Sequence, residues 1–415
     1  MKKYDWIIRG GRVIDPASGT DGTLDVAIAA GRIAAVEETL DPALAARIYE
    51  AGGKLVTPGL VDLHVHGYDR VTPLGVDMDY YCLGRGTTTA IDTGSAGNDT
   101  FPGFRAFAAE RFETRLLAFL NISRAGLCVG RATNGDEPGE LESAKLISSR
   151  HCSDCIEANR DLLVGVKVRL SATIADEGRN EPHAYQSALD AAAATDLPLM
   201  VHHSFSTIPL EECPGRMAPG DIYTHAYHGF ESTIIDPESR QVHPAAIEAR
   251  QRGVLFDIGH GMGGFNWTVG EICAAEGFSP DTISTDMHSL TCEGPGYDMP
   301  TVMSRLLHLG MCLEEVIRCS TLAPAQSIGW DDRIGTLGVG READVAILGL
   351  EDVDLDLEDC QAQMRRIKER LTPCAVWRAG KQGTITQPLQ WPNREKIEAA
   401  KPAWSQLIIR DDRLE

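Results

Sequence analysis

Residues 57–67 read TPGLVDLHVHG, an apolar run that ends in two histidines two residues apart. Read as a β-strand, its side chains alternate between two faces. Val61, Leu63 and Val65 form one apolar set, expected to point outward, which leaves Asp62, His64 and His66 together on the inward face. Histidines at i and i+2 on one face can share a single metal ion, and neutral imidazole is a common metal ligand. Asp62, deeper in the strand, is expected either to orient a histidine through its second ring nitrogen or to act as a structural carboxylate capped by backbone.

From this strand onward, apolar strands alternate with helix-length segments such as 100–114 and 183–195. The strands are expected at about 57–66, 87–94, 115–122, 162–170, 197–203, 221–227, 254–260 and 282–288. That alternation predicts repeated βα units around a parallel sheet, and eight such strands predict a closed (β/α)8 TIM barrel with its chemistry at the C-terminal strand ends. The two chain ends have a different texture. Short β-like runs broken at Gly10–Gly11, Gly31 and Gly52–Gly53 precede the barrel, and glycine-punctuated β runs return after about residue 335. The ends are therefore expected to build one small composite β-sandwich from 1–56 and 338–390, beside a barrel at 57–337. Residues 391–415, with Pro392 and mixed charge, are expected to form a C-terminal helix or tail.

With 415 residues, of which 43% are hydrophobic, the chain can bury a barrel and a smaller module. Its 39 Lys and Arg stand against 60 Asp and Glu, and a formal charge of -21 repels phosphate backbones and anionic lipid surfaces. Nucleic acid and membrane partners are thereby disfavoured. Asp5 and Arg9 interrupt any apolar leader, and no stretch reaches the roughly 20 apolar residues that span a bilayer, so a cytoplasmic location is expected. Eleven scattered cysteines do not make the dense framework of a small secreted domain. The single C-x-x-C, Cys152 and Cys155, has no second pair and is read as buried thiols.

The same alternation test applied to the other strands gathers a set of ligands. In LVGVKVRLS, Val164, Val166, Val168 and Leu170 are expected outward and Lys167 and Arg169 inward. A buried lysine loses hydration and either neutralises or finds a partner. A Lys–Asp pair is one solution, and carbamylation, which turns the amine into an anionic ligand, is another. In LPLMVHH, Leu199 and Val201 face out, His202 faces in, and His203 is a satisfied outward residue. In DIYTHAYHG, Ile222, Thr224 and Ala226 are expected outward, with His225 inward above Tyr223 and His228 on the loop beyond. In TISTDMH, Ile283, Thr285 and Met287 are outward, leaving Asp286 and His288 inward. Four histidines, a lysine and an aspartate thus converge on one rim.

The segments VTPGLVDLHVHG, GVKVR, VHH, THAYHG and STDMH resemble, in this order, the amidohydrolase superfamily in its binuclear, carbamylated-lysine form. DVAIAAGRIAAV and GREADVAIL resemble that family's composite β-sandwich, so the likeness spans almost the whole chain. Within the superfamily, the KVR strand and DIGHGMGGF are most similar to the amidohydrolase/deacetylase branch, which carries the labels deacetylase, dihydroorotase-like and adenine-deaminase-like. The resemblance implies that His64, His66 and Asp286 hold one divalent ion, His202 and His225 the other, and carbamylated Lys167 bridges both, with zinc expected. It implies a metal-bridging hydroxide as nucleophile and Asp286 as the proton shuttle. It also implies association into a homo-oligomer.

Substrate contacts are expected from the rest of the rim. Arg169 can clamp a substrate carboxylate or pair with Asp257 or Asp92. The glycines around His260 form a close-approach loop after the seventh strand, and His260, Tyr227 and His288 are candidate contacts to a carbonyl or leaving group. The expected activity is hydrolysis of an acyl amide or acyl ester of a small, carboxylate-bearing molecule. The alternative is a cyclic amidase of dihydroorotase or hydantoinase type. In dihydroorotases an arginine closely follows the histidine pair, whereas here Gly67 and Tyr68 follow. A mononuclear deaminase is disfavoured, because Ser204, Phe205 and Ser206 follow His202 where a glutamate would stand.

Overall fold

A computed structural model describes residues 2–129, 138–387 and 390–411. Seven strands, Leu60–Val65, Thr87–Gly97, Arg115–Asn121, Leu163–Leu170, Leu199–His203, Ile222–Thr224 and Leu255–Phe256, pair in chain order into a curled sheet. Every neighbouring pair is parallel. The segment 282–288 reaches both edges, since Thr282 bridges Asp257 and Met287 bridges Val65. Helices between the strands cover the outer face, as a parallel sheet buried on both faces requires. The helix Glu181–Thr195 shows why one forms: Ala184, Ala188, Ala191 and Ala192 supply a small buried face beside Tyr185. Pro182 sits in the first turn, where its missing N–H breaks no bond, and Asp196 ends the helix in a left-handed conformation.

The interior of the curl is filled at its lower end by Val61, Leu63, Ile91, Leu117, Phe119, Val164, Met200 and Ile222. Trp330, Ile328 and Ile334 close this plug from below. Phe119 is fully buried there, and Phe119→Ala would cost about 3–5 kcal/mol by the lost transfer energy and the cavity left behind.

This packing corrects the alternation read from the sequence. Val61 and Leu63 belong to the interior plug, not to the outer shell, and so do Val164 and Ile222. Asp62 turns the other way, accepting hydrogen bonds from Thr285 N (3.0 Å), Thr285 Oγ1 (2.5 Å) and His64 N (3.3 Å). It is the structural carboxylate, not an orienter of a histidine ring. The parity changes because the first strand slips by one residue between Asp62 and Val65 against its neighbour. A bulge of this kind exchanges the two faces of a strand, so His64 and His66 turn inward above an already inward Leu63.

The chain ends meet in an eight-stranded mixed sheet, ordered Lys381–Gln382, Met364–Arg378, Val345–Glu358, Leu55–Pro58, Tyr4–Asp15, Thr20–Ala29 and Arg32–Glu37, with Ala45–Glu50 also paired to Tyr4–Asp15. It is one continuous sheet that folds back on itself, because Trp377 reaches across to Trp6 and Tyr49 with ring centroids 5.4 and 5.3 Å apart. The run 57–66 is split at Gly59: Pro58 ends a strand of the mixed sheet and Leu60 begins the parallel one. Arg115, buried at the foot of the third parallel strand, ties the two sheets by ion pairs to Asp344 (2.5 Å) and Glu342. Beyond Pro392 the chain forms a helix, Arg394–Ala400, and an extended end whose Ile408 and Ile409 amides donate to Gly229 O. Among the described residues no helix is long and apolar enough to cross a membrane. Cys152 and Cys155 lie on the helix Ser149–Ala158, and all eleven thiols are free.

Candidate active site

At the C-terminal ends of the parallel strands, one pocket is lined by His64, His66, His202, His225, Asp286 and His288, with Arg169 and Glu140 at one side. His64, His66 and Asp286 present ligand atoms within 4.8 Å of one another, all buried. Asp286 Oδ1 lies 3.2 Å from His66 Nε2 and 3.5 Å from His64 Nε2. His225 packs against His64, tilted, and against His202, edge to face, with ring centroids 4.8 and 4.3 Å away. Lys167 is buried beneath, and its Nζ has no hydrogen-bond partner.

Two of these residues reach the pocket by a route that strand alternation does not describe. Ile222 and Thr224 both point inward, so His225 would follow outward, but its backbone is left-handed (φ 59°) and turns the ring into the pocket. Asp286 is left-handed as well (φ 46°). Non-glycine residues in this region carry strain that the surroundings must hold, and such strain gathers at functional sites. Tyr223, expected beneath His225, instead faces the shell and bonds to His203 Nδ1 (3.0 Å).

Hydrogen bonds set which ring nitrogens face the pocket. Asp257 accepts from Thr224 (2.7 Å), Thr282 (2.7 Å) and Ser284 (2.7 Å). Thr224 has thus spent its only proton and must accept from His64 Nδ1 at 2.9 Å, which leaves His64 Nε2 bare. His225 Nδ1 donates to the Gly259 carbonyl (2.5 Å), so its Nε2 is bare as well. His66 Nδ1 is held by Ser95 Oγ (2.9 Å) and His202 Nε2 by Ser204 Oγ (2.7 Å). Burial pushes the His64, His202 and His225 rings below their ordinary range, His225 to about 4, which keeps them neutral and able to bind metal. Burial also pushes the Lys167 ammonium down to about 7, against the pull of Asp286 and Asp257. Burial opposes ionisation of Asp286, yet the surrounding His64, His288 and His66 hold its carboxyl well below the usual carboxylate range.

The glycine loop after the seventh strand supports these pocket residues at close range. A Cβ on Gly261 would stand 2.2 Å from Asp286 Oδ2, and one on Gly264 2.6 Å from His225 Nδ1. Glycine is needed there because the backbone packs directly on the Asp286 and His225 side chains.

The candidate substrate contacts separate. His288 lines the pocket; Leu290 N donates to its Nδ1 (3.2 Å), so in the neutral ring Nε2 carries the proton, 3.8 Å from Asp286 Oδ2. Arg169 also lines it, but its partner is neither Asp257 nor Asp92. Glu140 grips the guanidinium through Nε (2.8 Å) and Nη2 (2.5 Å), while Asp92 accepts from Gly67 and Ser95 amides. Tyr227 and His260 do not line the pocket. The Tyr227 hydroxyl donates to Phe278 O (2.6 Å), and the fully buried His260 stacks on Phe265 with centroids 5.3 Å apart, because the glycine loop turns it toward the core. Sequence reasoning missed Thr224 as the partner of His64 and Glu140 altogether. The inward threonine was hidden by the parity error, and nothing local marks Glu140 as a partner of a residue 29 positions away.

Comparison with known proteins agrees with this geometry. Residues 269–383 match the amidohydrolase family. The chain is 33% identical over 343 residues to a deacetylase of Agrobacterium fabrum, covering 83% of this chain and 82% of that one. A deacetylase of Brucella anthropi is 32% identical over 357 residues, covering 85% and 86%. A solved dihydroorotase superposes with a TM-score of 0.84 at 29% identity, over 93% of this chain and 99% of its own. The chain belongs to the amidohydrolase superfamily, in its dihydroorotase-like branch, and its activity is that of a hydrolase.

Proposed function

We propose that the chain is a metal-dependent deacylase that hydrolyses an acyl amide or acyl ester, acetyl foremost, of a small carboxylate-bearing molecule. The observation that carries this reading is the buried set His64, His66 and Asp286 at a pocket whose ring nitrogens are left bare by their own hydrogen bonds. The deacetylases that this chain resembles cover over four fifths of it, whereas dihydroorotases of Anaeromyxobacter match 202 residues, 47% of it. A solved dihydroorotase covers 93% of the chain at 29% identity, so the cyclic amidase stands as the second reading, ranked below because Gly67 and Tyr68 follow the histidine pair where its arginine would stand.

Two divalent ions fit the residues present. His64, His66 and Asp286 would hold one and His202 and His225 the other, with zinc favoured by the nitrogen and oxygen donors. Lys167 would join the two as its carbamate: its buried Nζ is unpartnered, and a neutral amine that adds to carbon dioxide and loses a proton becomes an anionic oxygen ligand. Such ions, when bound, lower the pKa of a water and polarise the acyl carbonyl. In the reaction the water oxygen bonds to the acyl carbon and its proton passes to Asp286 Oδ1, which accepts no hydrogen bond in the resting site. Asp286 returns that proton to the departing nitrogen or oxygen, and the products are a carboxylic acid and an amine or alcohol. His288 Nε2–H would donate to a substrate oxygen, and Arg169, braced flat by Glu140, would face the substrate carboxylate.

We read the curled sheet and segment 282–288 together as a closed (β/α)8 barrel at 57–337, beside a composite β-sandwich of 1–56 and 338–390 and a C-terminal segment, 391–415. We place the activity in the cytoplasm, on a homo-oligomer. The test is zinc-loaded protein, prepared with bicarbonate, assayed on N-acetyl amino acids, O-acetyl α-hydroxy acids, dihydroorotate and hydantoins. Turnover of acyl compounds is expected, and turnover of ring amides alone would overturn the deacylase reading.

A further inference from the structure

The turn that joins the two longest strands of the mixed sheet, Val345–Glu358 and Met364–Arg378, ends inside the molecule. Asp359, Cys360, Gln361 and Gln363 are all buried, although turns of polar residues ordinarily run over the surface. Their polar groups are spent on one target, the glycine loop and the helix that follows it. Cys360 Sγ donates to His260 O (3.1 Å) and Gly261 O (3.2 Å). Gln361 Nε2 donates to Gly263 O (3.4 Å), and its Oε1 accepts from Asn266 (3.2 Å). Asp359 accepts from Trp267 N (3.0 Å) and, within the turn, from the Gln361 and Gln363 amides (2.8 and 2.9 Å). From the far side, Trp404 Nε1 donates to Gln361 O.

The gripped loop is the one that lies on the ligands. Gly261 backs Asp286, Gly264 backs His225, and the Gly259 carbonyl holds His225 Nδ1. Asp286 and His225 are the two left-handed ligand residues, so their positions depend on outside support. We propose that the 359–363 turn is a positioning clamp, in which Cys360 and Gln361 hold the glycine loop against Asp286 and His225 and so tune metal retention and turnover. This rests on the reading of those residues as metal ligands. Partners at this remove from a metal typically change affinity or activity 10–100-fold when lost.

The test takes full-length Cys360→Ala and Gln361→Leu, with Cys360→Ser as the variant that keeps a donor. Three quantities are read: metal retained against a chelator, amide hydrogen exchange of the 259–264 loop, and kcat and KM on the best acyl substrate. The clamp predicts faster exchange in 259–264 with unchanged exchange in the 87–97 strand. It also predicts about tenfold weaker metal retention, a fall in kcat with KM within about twofold, and partial recovery in Cys360→Ser. Trp404→Phe, which loosens the turn from the half-exposed C-terminal side, replaces either variant that does not fold and should show the same pattern more weakly. Unchanged exchange and metal retention in folded variants would overturn the clamp. If no acyl substrate turns over in the wild type, the deacylase reading fails while exchange and metal retention still decide the clamp.

Discussion

The two halves of the proposed two-ion site are built to different degrees of completion by the chain itself. On one side, His64, His66 and Asp286 already converge within 4.8 Å, and hydroxyls of Thr224 and Ser95 hold the outer nitrogens of both rings. On the other, His202 and His225 meet edge to face with ring centroids 4.3 Å apart, and beneath them lies a lysine nitrogen with no hydrogen-bond partner. A buried, unpartnered amine is costly, and folded proteins rarely tolerate one without a use for it. Under the two-ion reading proposed above, ordinary side chains supply the first half, whereas the second would need an added carboxylate on Lys167.

The sharpest attack on this contrast is Asp286→Asn, which removes a ligand from the finished half and the proton carrier with it. Steady-state rates should fall about 10³-fold or more, with the circular dichroism spectrum unchanged. Next comes Lys167→Ala, which should lower bound metal from about two equivalents toward one and cut activity by about 10²-fold, read by elemental analysis. Retention of both metals in that variant would erase the contrast, because the lysine would then be a packing residue. A smaller effect, about tenfold in metal affinity, is expected from Thr224→Val, since His64 loses the acceptor that fixes its tautomer. The last is a slope in the stability of the metal-free protein. In metal-free protein the Lys167 pKa of about 7 lies below its unfolded value of 10.5, so between these values the unfolded chain binds the extra proton. Stability therefore rises with pH through that window and levels off below pH 7, where both states are protonated. Melting temperatures of wild type minus Lys167→Met, taken from pH 7 to 10, should show this slope; a flat difference would mean the amine is charged when buried.

Much of this site was legible because strand positions and residue types are local. The strands at 115–121, 163–170 and 199–203 fall where apolar runs predict them; His202 lines the pocket, and Lys167 lies buried within range of Asp286 and Asp257, both on the predicted face. Facing was less secure. A one-residue slip after Asp62 put Leu63 and His64 on the same side, and left-handed residues carried His225 and Asp286 into the pocket, so these pocket residues were named with the wrong parity beneath them. Arg169 was rightly put inward, yet its partner Glu140 comes from a loop that no period describes. Tyr227 and His260 were misplaced because they follow irregular backbone, where alternation has no meaning.

By itself the sequence determined the alternation of strand and helix, the union of the chain ends in one β unit, and the buried group His64, His66 and Asp286. These follow from residue type and local period, which need no knowledge of distant contacts. Only the tertiary structure decided the ring tautomers, the Glu140 brace on Arg169, and the burial of the 359–363 turn behind the glycine loop. Each is a hydrogen bond between residues brought together from distant parts of the chain, and such pairings depend on how the layers pack rather than on any local pattern.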